Sequence, residues 1–281
     1  MKYKLIGIYV LILFIYYLVS FYIIQDIIVP DIIGGIGNQL FIVSSAYAYS
    51  KKFNKKLIML NRNEIFSYGG NRNNNNNNIF YNIPKKNIDI NKLNKLKEDE
   101  YYKYKKGSLY LTERYYQDYN YFNNYKNDLI NLFKPNIEIQ KVLDELKIKY
   151  NITSSDKNIC VHIRLVDKFT PNNHDGLYSD SEIQDISKKL DNLKGNKLIF
   201  SNDINKCKQL LKNKDLIYVS EKDYLELYLI SYCNYYIASP STFNWWGIYL
   251  NKDKFEIYIS WNKDSEYRKD FYNKYKCFNI I

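Results

Sequence analysis

Histidine and cysteine are scarce in this 281-residue chain, and their positions exclude one kind of site. The two histidines are His162 and His174, and the four cysteines are Cys160, Cys207, Cys233 and Cys277. None of the cysteines has the spacing of a zinc-ligand set, so the sequence predicts no such metal site. Because there are only two histidines, a histidine that acts as a general base could only be His162 or His174.

Closely paired aspartates are also missing. Enzymes that hold a sugar nucleotide through a divalent cation usually carry an Asp-x-Asp pair, and no two aspartates here are two positions apart. We therefore expect no metal, and any bound diphosphate would have to be neutralised by an arginine and by helix N-termini.

The net charge is +11, yet no arginine-rich stripe, zinc finger or RNP-type motif accompanies it. The lysines are scattered along the chain, so we expect no nucleic-acid partner. A small substrate that carries phosphate fits this charge equally well.

The first 25 residues have the pattern of a membrane anchor. Leu5 to Ile24 contains no charged residue and is long enough to cross a bilayer as a helix. Lys2 and Lys4 precede it and Asp26 follows it, which predicts a single-pass type II protein with its main domain lumenal, as in the Golgi or ER, or otherwise non-cytosolic. A cleaved signal peptide and a buried first element of the fold are the alternatives.

Apolar runs beyond residue 25 predict a first series of strands and helices. Ile27–Ile33 is a predicted strand, Gln39–Phe53 a helix and Leu57–Leu60 a second strand, which is the order of a parallel α/β unit. Asn71 to Asn78 is a polar low-complexity tract, for which we expect a loop without fixed structure. Tyr115 to Phe133 has a helical pattern.

A second series follows the polar stretch between Lys134 and Asp156, in which we place a domain boundary. Its predicted elements are two strands, Asn158–Val166 and Lys197–Ser201, followed by an alternation of helix and strand: helix Ile204–Leu211, strand Leu216–Val219, helix Tyr224–Tyr232, strand Tyr235–Ala238, helix Phe243–Leu250 and strand Phe255–Ile259. We therefore predict an α/β protein with two Rossmann-like domains, residues 26–150 and 151–281, facing a cleft. Open parallel sheets bind ligands beyond the carboxyl ends of their strands.

A glycine-rich turn joins the first strand to the first helix, at Gly34 to Phe41. A dinucleotide fingerprint needs a third glycine where Leu40 stands and a carboxylate about twenty positions later, so NAD binding is disfavoured. The glycines still permit close backbone approach, and the amides of Asn38 and Gln39 can point into a cleft. A plain turn is the alternative.

Polar residues at the ends of later strands are the candidate site. His162 and Arg164 share one face of a predicted strand, where a guanidinium can grip a diphosphate, unless Arg164 makes an edge-strand salt bridge. The segment Ser241–Gly247 opens a helix and can form an anion site, with a simple N-cap as the alternative. Glu226 lies beside an apolar helix stripe, facing either solvent or a guanine edge.

Five segments, in one order along the chain, resemble motifs of the alpha-1,2-fucosyltransferase family, glycosyltransferase family 11. The segments are Gly34–Phe41 (G-G-x-G-N-Q-x-F), Arg114–Phe122 (G-Y-F-Q-S-E-K-Y-F), His162–Asp167 (H-x-R-R-x-D), Phe200–Lys208 (F-S-D-D, then W-C-K) and Glu226–Gly247, which ends in S-T-F-S-W-W-G. The chain departs from the motifs at Leu165, Val166, Glu226 and Pro240, and the resemblance covers about residues 32 to 251.

The resemblance implies a GT-B fold, inversion at the anomeric carbon, no metal or other cofactor, and transfer from GDP-fucose to a galactose-terminated glycan. It implies that residues 26–150 form the acceptor-side domain and that GDP-fucose is bound mainly by residues 151–281. It implies that the residues that bind the donor are His162 and Glu226 at guanine, Arg164 at the β-phosphate, Ser241, Thr242 and Phe243 at the diphosphate, and Asp203, Gly35 and Asn38 around them. Asp167 is the nearest candidate for a general base. Another GDP-sugar or acceptor, or an inactive membrane-anchored glycan-binding homologue, are the alternatives.

Overall fold

A computed structural model of the protein describes residues 26–61, 64–67, 70–73, 78–154, 157–165, 176–278 and 280. Within these ranges, no helix has both the length and the apolar character needed to span a bilayer. The predicted anchor, Leu5 to Ile24, lies outside them and stays a prediction.

The N-terminal half is built around a parallel sheet of four short strands. Its elements are β1 (Ile27–Pro30), α1 (Ile36–Lys52), β2 (Lys56–Leu57), β3 (Met59–Leu60), β4 (Glu64–Ser67), β5 (Gly70–Asn73), β6 (Lys85–Lys86), β7 (Asn94–Leu96) and β8 (Leu109–Leu111). The sheet has the order β2-β1-β8-β7, with Ile28 opposite both Leu57 and Leu109. The predicted strand Leu57–Leu60 is divided at Ile58, so that β2 pairs with β1 while β3 pairs with β6.

The asparagine-rich tract is partly ordered. Asn71 to Asn73 belong to β5, which pairs antiparallel with β4 in a hairpin. The prediction of a structureless loop is therefore wrong for these three residues, because their backbone groups are hydrogen-bonded across the ladder. Residues 74–77 lie outside the described part of the chain.

Two helices connect the halves, and both differ from the sequence predictions. They are α2 (Lys126–Leu132) and α3 (Ile137–Lys149), and they follow single 3₁₀ turns at Tyr119–Tyr121 and Asn123–Tyr125. The predicted helix over Tyr115–Phe133 is wrong in its first half, since Tyr116 adopts φ 53° and its hydroxyl bonds the carbonyl oxygens of Leu96 and Thr112. The boundary stretch contains α3, whose buried Ile139, Leu143 and Leu146 repeat at helical spacing.

The C-terminal half is a five-stranded parallel sheet with helical crossovers. Its elements are β9 (Asn158–Ile163), α4 (Asp180–Asp191), β10 (Asn196–Ser201), α5 (Ile204–Leu210), β11 (Leu216–Val219), α6 (Asp223–Ser231), β12 (Tyr235–Ala238), α7 (Thr242–Tyr249), β13 (Glu256–Ile259) and α8 (Glu266–Tyr275). The strand order is β11-β10-β9-β12-β13, so β9 is central and all six of its residues are buried. Fully buried strands of this kind are expected when helices cover both faces.

Helices α1 and α7 join the halves into one buried core. The ring of Phe41 in α1 lies 4.8 Å from Trp245 and 5.3 Å from Trp246, and Phe122 stacks on Trp246 at 5.4 Å. A Cβ on Gly37 would stand 2.5 Å from the Thr242 carbonyl carbon, so only glycine permits this helix contact. The expected two-sheet α/β architecture is present, and a packed aromatic seam holds its halves together.

Candidate active site

The candidate site lies where the carboxyl ends of the two sheets meet. Because both sheets are parallel, the turn after β1 and the loops after β9, β10 and β12 each leave the carboxyl end of their own sheet. The contact between Gly37 and Thr242 brings the turn after β1 against the start of α7. The predicted donor residues on both halves therefore face one region.

His162 is buried near the end of β9 and is held by a hydrogen bond. Its Nδ1 lies 2.6 Å from Ser239 Oγ, and its ring centre lies 5.7 Å from that of Phe243. Burial, together with the nearby charge of Arg164, lowers the pKa of His162 to about 3. The imidazole is consequently neutral at physiological pH, with one nitrogen directed at Ser239.

Arg164 follows the central strand, and the loop around it is fixed by backbone contacts. Its carbonyl oxygen accepts from the Tyr178 amide at 2.9 Å, and the next residue, Leu165, donates its amide to Asn202 Oδ1 at 3.0 Å. Strand β9 has a neighbour on each side, so Arg164 directly follows the central, fully buried strand of the sheet and not an edge strand. The salt-bridge alternative stays open.

The N-terminus of α7 is suited to an anion. Ser241 occupies the N-cap position, yet its side chain makes no capping hydrogen bond, so the simple N-cap alternative is wrong. The first turn contains no acidic residue, and its backbone N–H groups point along the positive end of the helix dipole. Ser241, Thr242 and Phe243 therefore form the surface that a phosphate would meet.

Three residues that the sequence did not single out brace this turn. The hydroxyl of Tyr275 in α8 lies 2.9 Å from both the Ser239 carbonyl oxygen and Asn244 Oδ1, and the Ser239 amide donates to the same Oδ1 at 3.1 Å. Ser239, Asn244 and Tyr275 are all buried. Tyr275 is more than thirty positions from the turn, and no local pattern connects them.

Two further predicted donor residues have structural partners of their own. Asp203 caps α5, because its Oδ1 accepts from the Lys206 amide at 3.0 Å. Glu226, half-buried in the first turn of α6, accepts from the Glu221 amide at 2.9 Å. Desolvation raises the pKa of Glu226 to about 7, and the charges of Asp223 and Glu221 act in the same direction.

The glycine-rich turn contributes differently from the prediction. Gln39 is buried and its amide donates to the Gly34 carbonyl oxygen at 3.0 Å, so it braces the turn instead of pointing into the cleft. Asn38 accepts from Gln117 Nε2 at 2.9 Å, which joins the turn to the Arg114–Phe122 segment. Gly35 is the N-cap of α1, in extended backbone that any residue can adopt.

Asp167 lies outside the described residues, as do His174 and Asp175, and the general base stays a prediction. Across the part of the chain that is described, no three His, Cys, Asp or Glu side chains come together as possible metal ligands. The donor roles assigned above also stay predictions.

The family profile described as Glycosyl transferase family 11 matches residues 27–278. The chain belongs to this family. The chain is 26% identical over 278 residues to the O-antigen biosynthesis glycosyltransferase WbnK of Escherichia coli, covering 81% of this chain and 91% of that protein. It is 29% identical over 284 residues to an alpha-1,2-colitosyltransferase of Escherichia coli, covering 83% and 90%.

The fold of this family 11 protein also resembles a solved fucosyltransferase. NodZ from Bradyrhizobium superposes with a TM-score of 0.54 over 80% of this chain and 92% of its own, at 14% sequence identity. At that identity the likeness concerns the fold alone, and it agrees with the expected GT-B-like arrangement of two α/β halves.

Proposed function

We propose that this family 11 protein transfers L-fucose from GDP-fucose to a terminal galactose of a glycan, in alpha-1,2 linkage, with inversion and without a metal. One observation supports a nucleoside-diphosphate sugar as the donor. At one edge of the sheet, Arg164 and the N-terminus of α7, whose first turn has no acidic residue, lie beside a neutral His162. This arrangement supplies fixed positive charge for a diphosphate.

Different comparisons bear on the sugar and on the linkage. NodZ, titled as an alpha-1,6-fucosyltransferase, has been solved after soaking with GDP-fucose, which supports the donor. The alpha-1,2 linkage is supported instead by a relative at 29% identity that is named as an alpha-1,2 transferase. That relative transfers colitose according to its name, so a colitose donor is the second candidate for this site.

In the proposed reaction an acceptor hydroxyl attacks the anomeric carbon from the face opposite the nucleotide. The bond between that carbon and the β-phosphate oxygen breaks, and GDP departs with the electron pair. Arg164 and the α7 N-terminus stabilise the growing charge on the β-phosphate, which is where a fixed cation lowers the barrier most. The hydroxyl proton passes to a base, for which Asp167 is our candidate.

Glu226 is proposed to select guanine. Its carboxylate can accept from both the N1–H and the exocyclic amine of that base, a pair that adenine does not present. The role needs the ionised carboxylate, which links donor binding to pH.

We also propose that the Leu5 to Ile24 segment anchors the enzyme, with the catalytic part on the non-cytosolic side. Only Gln25 and Asp26 separate this segment from β1, so the N-terminal sheet would stand close to the bilayer. Resistance of the full-length protein to carbonate extraction tests this, and release into the supernatant contradicts it.

A donor screen tests the proposed activity. The purified protein is offered GDP-fucose, a colitose donor, GDP-mannose and UDP-galactose with lactose as acceptor, in the presence of EDTA. We expect GDP-fucose turnover to be unaffected by EDTA. Turnover that EDTA abolishes and manganese restores would contradict the metal-free mechanism, and turnover of the colitose donor alone would replace the sugar.

A further inference from the structure

A cavity lies at the carboxyl edge of the N-terminal sheet. It has a volume of about 550 Å³ and is lined by residues that follow β7 and β8, namely Lys97, Glu98, Asp99, Glu113 and Arg114, together with Tyr121. None of these residues belongs to the proposed donor site, and none has a role in the reaction as proposed above.

The cavity is close to the proposed donor site. Strands β1, β8 and β7 are consecutive neighbours in a parallel sheet, so their carboxyl ends lie at about 5 Å and 10 Å from the glycine-rich turn after β1. The segment that leaves the cavity through Arg114 also supplies Gln117, which bonds Asn38 of that turn. An acceptor in the cavity would therefore lie within one or two sugar units of the donor.

The charge of one residue in the C-terminal half reaches a carboxylate of this cavity. Desolvation raises the pKa of the Glu98 carboxyl, while the Tyr121 hydrogen bond and the charges of Arg114 and Lys274 oppose that rise. Lys274 belongs to α8, whose backbone at this residue accepts from Trp245 Nε1 at 3.1 Å. The lining of the cavity thus belongs to the N-terminal half, and a residue of the C-terminal half is close enough for its charge to act on Glu98.

The lining chemistry favours a neutral ligand rich in hydroxyl groups. With all groups ionised, two cations and three carboxylates leave one net negative charge, which disfavours a phosphate. Carboxylates accept strongly from hydroxyl groups, while Lys97 and Arg114 donate to sugar oxygens. Tyr121 donates to one oxygen of Glu98 at 3.3 Å and is, within the described chain, the side-chain partner of that carboxylate.

An exposed aromatic ring lies next to the cavity. Tyr102 is 57% exposed, its ring centre is 5.3 Å from that of Tyr121, and the charge of Glu98 reaches its hydroxyl. The negative face of such a ring attracts the weakly positive C–H face of a pyranose, and aromatic surfaces of this kind complement the polar contacts in ligand sites. The simpler explanation for these charged residues is that they form surface ion pairs, such as that of Lys97 with Glu113 at 3.2 Å. Such pairs would account for neither the exposed ring nor the cavity.

We infer that this cavity binds the acceptor galactoside, with Glu98 and Glu113 accepting hydrogen bonds from its hydroxyl groups. The inference rests on the proposed function. It adds Glu98 and Glu113 as the carboxylates that would recognise the acceptor within the domain that the family resemblance places on the acceptor side.

The test compares three single variants with the wild type, using lactose as the acceptor probe and GDP-fucose as the donor. Both cavity variants should stay folded. Glu98→Gln keeps a side-chain oxygen that can accept from the Tyr121 hydroxyl, and Glu113→Gln removes only an exposed ion pair, which contributes little to stability. Glu256→Gln is the matched control, because Glu256 is an exposed carboxylate paired with Lys157 at the amino end of β13, on the other sheet. Melting temperature, donor Kd and lactose KM are measured for each.

We expect the lactose KM of Glu98→Gln to rise about tenfold or more, since lactose loses hydrogen bonds to a charged carboxylate. The donor Kd and the melting temperature should stay within error of the wild type. Glu256→Gln should match the wild type throughout. An unchanged lactose KM in both cavity variants overturns the inference, and so does a wild type that hydrolyses GDP-fucose but ignores lactose. A wild type that binds no GDP-sugar instead contradicts the proposed function itself.

Discussion

Donor affinity should depend on pH through Glu226. Its carboxyl is half-buried at the start of α6, and desolvation raises its pKa to about 7. At neutral pH about half of the empty protein therefore carries a protonated Glu226. Guanine presents two donors to this side chain, so it binds the ionised form, and donor binding below pH 7 must release a proton.

The size of the effect follows from that pKa. If only the ionised carboxylate binds guanine, the apparent Kd is multiplied by about 11 at pH 6 and about 1.1 at pH 8. Affinity should therefore be about tenfold weaker at pH 6 than at pH 8, which corresponds to about 1.4 kcal/mol. Stability changes in the opposite direction: because the folded pKa of Glu226 is raised, its contribution is present below the unfolded value near 4.3 and is lost as the pH rises through about 7.

The assay is calorimetric titration with intact GDP-fucose from pH 6 to pH 8, in two buffers of different ionisation enthalpy. GDP itself is less suitable, because a terminal phosphate titrates near pH 6. His162 does not interfere, since its lowered pKa of about 3 keeps it neutral throughout. Glu226→Gln should abolish the slope and bind more weakly at pH 8. A wild-type affinity that is flat across this range, or a slope that survives in Glu226→Gln, would refute the guanine role.

Two further predictions concern the contact region between the halves. Arg164→Lys keeps the charge but loses the planar fork, so turnover at saturating donor should fall by about 10²–10³ with unchanged melting; near wild-type turnover would make Arg164 a structural residue. Gly37→Ala places a Cβ 2.5 Å from the Thr242 backbone, so it should cost about 1–3 kcal/mol of unfolding free energy in denaturant melts. Gly35→Ala is its control, because Gly35 has φ −72°, and equal stability of the two variants would show that α1 and α7 are loosely packed.

The C-terminal sheet could be predicted closely from the sequence. Leu216–Val219 and Tyr235–Ala238 were predicted with the bounds that the structure gives to β11 and β12. Each is a short apolar run bounded by polar residues, which is the strongest local signal a buried parallel strand can give. The N-terminal strands β6, β7 and β8 are only two or three residues long, and β6 and β7 include lysine, so no such signal marks them.

The candidate site was predictable where its residues follow strands directly. His162, Arg164 and Ser241 stand at strand ends, and sequence order places them at one edge once the sheet is assumed parallel. The brace formed by Tyr275 and Asn244 was not predictable, because it joins groups from separate elements through tertiary hydrogen bonds. The carboxylates of the proposed acceptor cavity could not be predicted either, since Glu98 and Glu113 lie among other charged residues in the sequence and resemble any solvated surface.

The two motifs that open α1 and α7 belong to a single structural unit. Gly37 permits backbone contact with Thr242, and Asn38 bonds Gln117, so α7, the glycine-rich turn and the segment beside the proposed acceptor cavity are fixed to one another. A shift of α7 relative to α1 would therefore change the distance between the two proposed substrates. Because effective catalysis needs the reacting atoms about 3–3.5 Å apart, selection on this reaction would act on the glycine that sets this packing as strongly as on residues that touch a substrate.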